Sequence, residues 1–163
     1  MSTKPIEKMI EALGILVADA NPHMRRLTRM MLMNIGAKLV YEAADGLAAI
    51  DIVSHANPDV MLLDWEMPLL GGPQIMHIVR SPGVFAKPGL PVIMLTDQAL
   101  RSQVHEAMRL GVHEFLLKPT SPKALRDRLL AILLCPRPMV QIGKYYVPQP
   151  RRPLSAGELR QAA

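Results

Sequence analysis

Four polar side chains with complementary chemistry each lie at the end of a short apolar run. Asp19 and Asp64 close the runs "GILVAD" and "DVMLLD", while Thr96 and Lys118 lie near the ends of "PVIMLTD" and "GVHEFLLKP". Carboxylate oxygens are preferred ligands of Mg²⁺, and a hydroxyl or an ammonium group can hold phosphoryl oxygens. If the fold brings the four groups together, they could coordinate a hard cation and hold a phosphoryl group.

The apolar runs that carry these residues are predicted to be strands of one parallel sheet. The five runs cover residues 14–19, 37–43, 59–64, 91–97 and 111–119. Several are continuously apolar, as expected for strands covered on both faces. Segments with helical spacing separate them, and the last begins with Ser121 as a predicted N-cap and Pro122 at the first helical position. This alternation predicts an α/β, doubly wound sheet with five helices, whose ligand site lies at the carboxyl ends of the strands.

Composition and charge predict one domain with two extensions. The chain of 163 residues is divided into an extension at 1–13, a domain at 14–135 and a tail at 136–163. The net charge of +5 lies mostly in the tail, so the nearly neutral domain lacks the basic surface typical of nucleic-acid binding. Prolines in the tail oppose regular structure through most of it. Its apolar residues leave open a contact with the domain or with a partner.

Several other classes of protein are disfavoured. The single cysteine, Cys135, cannot form an internal disulfide, and it lacks neighbouring residues of metal-ligand type. No apolar stretch is long enough for a membrane span, and the charged N-terminus does not resemble a signal peptide. A cytoplasmic protein is therefore expected.

The order and spacing of the motifs resemble the receiver domains of bacterial two-component response regulators, particularly the chemotaxis-type single-domain proteins. The resemblance covers residues 14–134 and rests on "ILVAD" followed by "MRRL", "PDVMLLDWEMP" with Gly72 downstream, "PVIMLT" and "GVHEFLLKP". It implies a flavodoxin-like fold, with five parallel strands in the order 2-1-3-4-5 and five helices.

The resemblance also implies a role for each polar residue at the predicted sheet edge. Asp64 would be the phosphoacceptor, and Mg²⁺ would be held by Asp19, Asp64 and the backbone carbonyl of Glu66. Thr96 and Lys118 would contact the phosphoryl oxygens. Such a group would arrive from a histidine kinase, a phosphotransfer protein or a small phosphodonor.

A switch is implied by two positions on the last two strands. Phe115 occupies the position of an aromatic side chain that turns inward when Thr96 moves toward the phosphoryl group. This change would bias a two-state surface and alter the binding of a downstream protein.

The sequence departs from the family pattern at Ala20, at Asp97 and at Gly71, which replaces a common acidic residue. Ala20 follows Asp19 where the family usually has a second acid that binds Mg²⁺, so weaker metal binding is expected. Glu66 could compensate by reaching the ion, or it could form an ion pair with Lys118. Asp97 places another acid near the rim, where a small residue is usual.

The predicted function is a stand-alone response regulator that assists its own phosphorylation and is not an enzyme. Fewer than 30 residues follow the domain, whereas a DNA-binding output domain needs on the order of 60, so direct DNA binding is not expected. Membrane binding is not expected either, and a homodimer is left open. The main alternative is a degenerate receiver that binds proteins without phosphorylation. A phosphate-ester hydrolase would need a substrate cavity and a general acid that the sequence does not reveal.

Overall fold

The computed structural model describes residues 4–81, 85, 87–97, 101–143 and 145–149. Its elements follow in chain order: α1 (Lys4–Glu11), β1 (Gly14–Ala18), α2 (Pro22–Asn34), β2 (Leu39–Ala43), α3 (Gly46–Ala56), β3 (Val60–Asp64), α4 (Gly72–Val79), β4 (Val92–Thr96), α5 (Arg101–Arg109), β5 (Glu114–Leu117), α6 (Pro122–Leu134), β6 (Met139–Ile142) and β7 (Tyr145–Pro148). Strands and helices alternate from β1 to α6, as the sequence pattern predicts.

The first five strands form one parallel sheet in the order 2-1-3-4-5, which confirms the predicted topology. The inner strands β1, β3 and β4 are buried along nearly their whole length, whereas the edge strand β2 is partly exposed. Helices α3, α4 and α5 contribute to the apolar layer on one face, and α1, α2 and α6 to the layer on the other. Burial on both faces explains why the apolar runs do not alternate with polar residues.

Side-chain caps determine where helices start near the carboxyl edge of the sheet. Asn21 caps α2, and its Oδ1 accepts a hydrogen bond of 2.9 Å from the His23 amide. Ser121 caps α6 by accepting a 3.1 Å hydrogen bond from the Ala124 amide, with Pro122 at the helix start, as predicted. These caps satisfy amides that have no partner inside a helix. They therefore end the loops after Asp19 and Lys118 at defined points.

The predicted count of five helices is wrong, since the described residues form six. The additional helix, α1, lies in the segment that was predicted only as an extension. Its Ile10 is fully buried, and Ile6 and Leu13 pack against the same apolar cluster. The short segment is stable as a helix because this apolar side has a layer to pack against.

The predicted tail contains two strands that the sequence pattern did not reveal. Strands β6 and β7 pair antiparallel, from Met139 opposite Pro148 to Ile142 opposite Tyr145. We call residues 139–148 the C-terminal hairpin. Its single proline, Pro148, lies at the end of β7, which is where proline is tolerated in a sheet.

The helices of the described chain are short. The longest, α2 and α6, have 13 residues each, which corresponds to about 20 Å. None of the helices in the described residues combines the length and the apolar character that crossing a bilayer requires.

Candidate functional site

Three of the four predicted polar residues meet at the carboxyl edge of the sheet. The Nζ atom of Lys118 lies 3.2 Å from Asp19 Oδ2 and 3.2 Å from Asp64 Oδ2. The Asp19 side chain is fully buried, and those of Lys118 and Asp64 are only 8% and 14% exposed. One ammonium group therefore pairs with two carboxylates in a place that water reaches poorly, where such pairing matters most.

The backbone around Asp19 holds its carboxylate in place. The Asp19 amide donates to Ala43 O at 3.0 Å, and the Asn21 amide donates to Asp19 Oδ1 at 2.9 Å. Arg25 on α2 donates from Nη1 to Asp19 O at 2.7 Å. The sequence pattern did not indicate this role of Arg25, although the residue lies within the "MRRL" motif. These contacts leave Asp19 Oδ2 facing the site.

The Asp64 carboxyl has an altered protonation equilibrium. Burial raises its pKa above the ordinary value of 3.8, and the charge of Asp19 adds to this rise. The charge and hydrogen bond of Lys118 act in the opposite direction but do not cancel the effect of burial. The Glu66 amide also donates to Asp64 Oδ1 at 3.3 Å. The ionised carboxylate is thus less well stabilised than in water, a condition that favours its use as a nucleophile.

Lys118 is held as a cation at this edge. Burial alone would lower its pKa, but Asp64 and Asp19 together outweigh that effect and raise the pKa above its ordinary value. Its backbone amide donates to Thr96 O at 2.9 Å, which links the ends of β4 and β5. The sheet therefore fixes the lysine beside both carboxylates.

Thr96 lies beside the acceptor in a small surface hollow. The residue is 7% exposed, and the hollow is lined by Asp64, Trp65, Glu66, Thr96, Asp97 and Gln103. Its volume of about 40 Å³ is comparable to that of one or two water molecules. The hollow thus offers a small group direct access to Asp64, and Gln103 is a lining residue that the sequence pattern did not indicate.

The structure does not bring Phe115 to the hollow. Phe115 lies in β5 opposite Met94 of β4, two residues before Leu117, which lies opposite Thr96. Its half-buried side chain packs against the apolar layer of α3, α4 and α5. Phe115 is therefore not placed to contact a group on Asp64.

The donor atoms at this edge fit a hard cation, with few protein ligands. Asp19 Oδ2 is buried and receives no well-directed hydrogen bond from any described residue, although Lys118 lies nearby. Within the described ranges, no three His, Cys, Asp or Glu side chains form a ligand set. Ala20 contributes no oxygen, and the Glu66 side chain is exposed. A divalent ion here would depend on two carboxylates, backbone oxygen and water.

In the described part of the chain, Glu66 does not form the ion pair with Lys118 that was its alternative predicted role. Among the described residues, both ion pairs of Lys118 are with aspartates. Glu66 instead lines the mouth of the hollow with its side chain exposed. Its carboxylate is therefore available to whatever enters the hollow.

Gly72 makes room for Trp65, and we expect a Gly72→Ala substitution to destabilise the protein. A Cβ atom at position 72 would lie 2.2 Å from the Trp65 ring, which is itself buried. Forcing such an overlap costs about 2 kcal/mol of unfolding free energy. Urea denaturation followed by Trp65 fluorescence measures this loss. In Gly71→Ala, the matched control, the nearest atom is the end of the flexible Gln74 side chain at 3.3 Å, so a smaller loss is expected. Equal losses would contradict this explanation.

The sequence is similar to curated chemotaxis proteins along most of their length. It is 32% identical over 120 residues to the chemotaxis protein CheY1 of Helicobacter pylori, covering 73% of this chain and 95% of that protein. It is also 32% identical over 115 residues to the chemotaxis protein CheY-3 of Vibrio cholerae, covering 71% of this chain and 87% of that protein. These relatives share the domain and not only a short motif.

Solved structures show the same similarity in three dimensions. The chemotaxis response regulator CheY4 of Vibrio cholerae matches with a TM-score of 0.67 and 27% identity, over 74% of this chain and 98% of that chain. The receiver domain of the sensor histidine kinase PA1611 from Pseudomonas aeruginosa matches with a TM-score of 0.65 and 26% identity, over 72% of this chain and 94% of that chain. The latter is described with a magnesium ion coordinated in its active-site cleft.

The family model of the response regulator receiver domain matches residues 15–130, which is most of the chain. This range runs from β1 into α6 and contains all the residues of the candidate site. It excludes α1 and the C-terminal hairpin. The chain therefore belongs to the response regulator receiver family, with relatives among the CheY-type chemotaxis proteins.

Proposed function

We propose that this chain is a phosphorylation-controlled regulator in a two-component phosphorelay, with Asp64 as the phosphoacceptor. The observation that carries the proposal is the contact of one buried lysine with two aspartates, beside a hollow that Thr96 lines. The donor would be a histidine kinase, a phosphotransfer protein or a small phosphodonor. The output would be altered binding of a downstream protein.

In the proposed reaction, an oxygen of Asp64 bonds to the phosphorus of a phosphohistidine as the phosphorus–nitrogen bond breaks. The departing imidazole nitrogen keeps the electron pair of that bond. Lys118 neutralises negative charge beside the acceptor, and the Thr96 hydroxyl donates a hydrogen bond to a phosphoryl oxygen. These are the electrostatic contributions on which phosphoryl transfer chiefly depends. The protein thus assists its own modification and remains regulatory.

Mg²⁺ is the cofactor that we propose for this site. Asp19, Asp64 and the backbone carbonyl of Glu66 would hold it, and its charge would offset that of the phosphoryl oxygens. The missing acid at Ala20 predicts weaker binding than a site with three carboxylates would have. The exposed carboxylate of Glu66 could replace part of the lost charge.

One observation favours a second candidate function, a receiver that binds its partner without phosphorylation. Lys118 already forms ion pairs with both carboxylates, and Ala20 removes a metal ligand. A site satisfied in this way could maintain one conformation without metal or phosphate. The two functions differ in whether the site responds to Mg²⁺ and to a phosphoryl mimic.

A titration followed by Trp65 fluorescence distinguishes the two functions. Trp65 adjoins Asp64 and lines the same hollow, so its emission should report binding there. For a phosphorylated receiver, we expect a saturable change with Mg²⁺ and a further change with beryllofluoride. A flat response to both in folded protein would favour the phosphorylation-independent module.

The Ala20→Asp variant tests the placement of the metal. We expect it to bind Mg²⁺ about tenfold more tightly, equivalent to about 1.4 kcal/mol, because it restores a third carboxylate. The same fluorescence titration measures the affinity. Ala44→Asp is a suitable control, because it adds an acid at an exposed position outside the hollow. Unchanged affinity in Ala20→Asp would contradict the proposed metal position.

A further inference from the structure

The C-terminal hairpin is docked on the domain through β7 and through Arg137, the residue that lies shortly before β6. Val147 of β7 is 7% exposed, and β7 packs against α5. Before β6, the Arg137 guanidinium donates a hydrogen bond to the His113 carbonyl in the loop before β5. The hairpin lies outside the range matched by the receiver family model. It is therefore an addition that contacts the helix layer of α3, α4 and α5 through α5.

The loop that receives the hairpin is itself firmly held. Gly111 has φ +97, and a Cβ there would lie 2.7 Å from Tyr146 O and 2.7 Å from Arg80 Nε. The buried Arg80 guanidinium donates to Gly111 O at 2.7 Å and to Pro88 O at 2.8 Å. The absence of a side chain at Gly111 allows the hairpin backbone to approach closely. The hairpin thus rests on a rigid base and not on a mobile loop.

Helix α5, by contrast, is weakly held by the core. Of its nine described residues only Ala107 is buried, whereas α4 buries Gly72, Ile75, Met76 and Val79. A helix with few buried apolar contacts opens locally at low free energy. Because α5 follows Thr96 and Asp97 along the chain, it is the helix that a movement of Thr96 reaches first.

An apolar groove of about 480 Å³ is lined by residues of α5, β5 and the hairpin. Its lining includes Met108 of α5, Phe115 of β5, and Ile142 and Val147 of the hairpin. Unfilled apolar space gives side chains room to change position, because few contacts are lost when they move. Restraint of α5 on this side comes instead from β7, which packs against it, and buried Val147 is part of that strand.

We propose that the C-terminal hairpin is a brace that holds α5 in its present position and so opposes activation at Asp64. This inference rests on the proposed phosphorylation of Asp64. If hairpin docking favours the inactive position of α5, it weakens the binding of a group at Asp64. Because coupling between two sites is reciprocal, a group bound at Asp64 must weaken hairpin docking by the same free energy. Undocking the hairpin should accordingly make activation easier.

The test compares Val147→Asp with Gln141→Asp in the full chain. The first places a charge at a buried docking residue, and the second places the same charge at an exposed position of the hairpin. We expect Val147→Asp to increase hydrogen exchange of the α5 amides and to tighten beryllofluoride binding by about fivefold, at the lower end of typical couplings. Gln141→Asp should change neither. In the unaltered protein, beryllofluoride should speed exchange in the hairpin.

Hydrogen exchange of the α5 amides, measured without beryllofluoride, tests the brace independently of the proposed phosphorylation. Faster α5 exchange in Val147→Asp supports the brace, and unchanged α5 exchange with an undocked hairpin overturns it. If neither the unaltered protein nor Val147→Asp responds to beryllofluoride, the proposed phosphorylation is wrong, regardless of the exchange rates in α5. Should Val147→Asp not fold, Val147→Ala with Gln141→Ala as its exposed control gives the same comparison.

Discussion

An Asp64→Asn variant is expected to fold normally and to take up no phosphoryl group from acetyl phosphate, a loss of at least about 100-fold. The amide of Asn is not a nucleophile that can form an acyl phosphate, so the proposed chemistry has no substitute for this carboxylate. Intact-protein mass measured during incubation with the donor and Mg²⁺ gives the result directly. Asp51→Asn on the exposed side of α3 is the matched control and should retain full uptake.

The stability of the same variant tests the electrostatics of the site. Because burial raises the Asp64 pKa above 3.8, the folded protein binds a proton there more tightly than the unfolded chain does. The ionised carboxylate is therefore unfavourable at neutral pH, and this cost is relieved as the pH falls from the folded pKa toward 3.8. Asp64→Asn should consequently be at least as stable as the original protein at neutral pH. Retained phosphoryl uptake in this variant would mean that the acceptor lies elsewhere.

A Lys118→Met variant is expected to lose about 3 kcal/mol of unfolding free energy at neutral pH. The substitution leaves the fully buried Asp19 and the largely buried Asp64 without their shared cation. Removing one partner of buried ion pairs is costly, because the remaining charges stay uncompensated. Urea denaturation at neutral pH measures the loss, and adding Mg²⁺ should restore part of it if the two carboxylates bind the ion.

Two further variants make this second prediction specific. Lys123→Met removes an ion pair with Asp127 in which the lysine side chain is 84% exposed, so it should change stability by less than about 1 kcal/mol. The double variant Lys118→Met with Asp64→Asn should be more stable than Lys118→Met alone, because one uncompensated charge is gone. The raised pKa of Lys118 also means that its contribution persists below pH 10.5 and is lost as the pH rises past the folded value. Full stability in Lys118→Met would show that the ion pairs contribute nothing.

The parallel sheet and the meeting of polar residues at one of its edges were both predictable from the sequence pattern, whereas the strand order was implied only by the resemblance to receiver domains. Continuous apolar runs such as residues 60–63 indicate strands of a parallel sheet, and all carboxyl ends of such strands lie on the same side. The positions of Asp19, Asp64, Thr96 and Lys118 follow from that rule without any distance being known. The resemblance to receiver domains supplied their roles, since the topology alone allows many uses of four such groups.

Helix periodicity was a poorer guide to which side chains are buried. Leu27, Leu47 and Met108 have the spacing of core residues, yet they are 42%, 56% and 49% exposed. The spacing identifies a helix, but burial depends on which other element covers a given face. For the same reason the sequence did not reveal that α1 and the C-terminal hairpin pack on the domain, because their few apolar residues are buried only against partners distant in the chain.

By itself, the sequence determined the parallel sheet and the edge at which the polar residues meet, because these depend on local apolar patterns and on the geometry common to all parallel sheets. The order of the strands was implied by the resemblance to receiver domains. Only the tertiary structure decided that Lys118 pairs with Asp19 and Asp64 and not with Glu66, that the Trp65 ring fills the space beside Gly72, and that the hairpin rests against Gly111. Such contacts depend on side-chain positions within a few ångströms, which are set jointly by elements far apart in the chain.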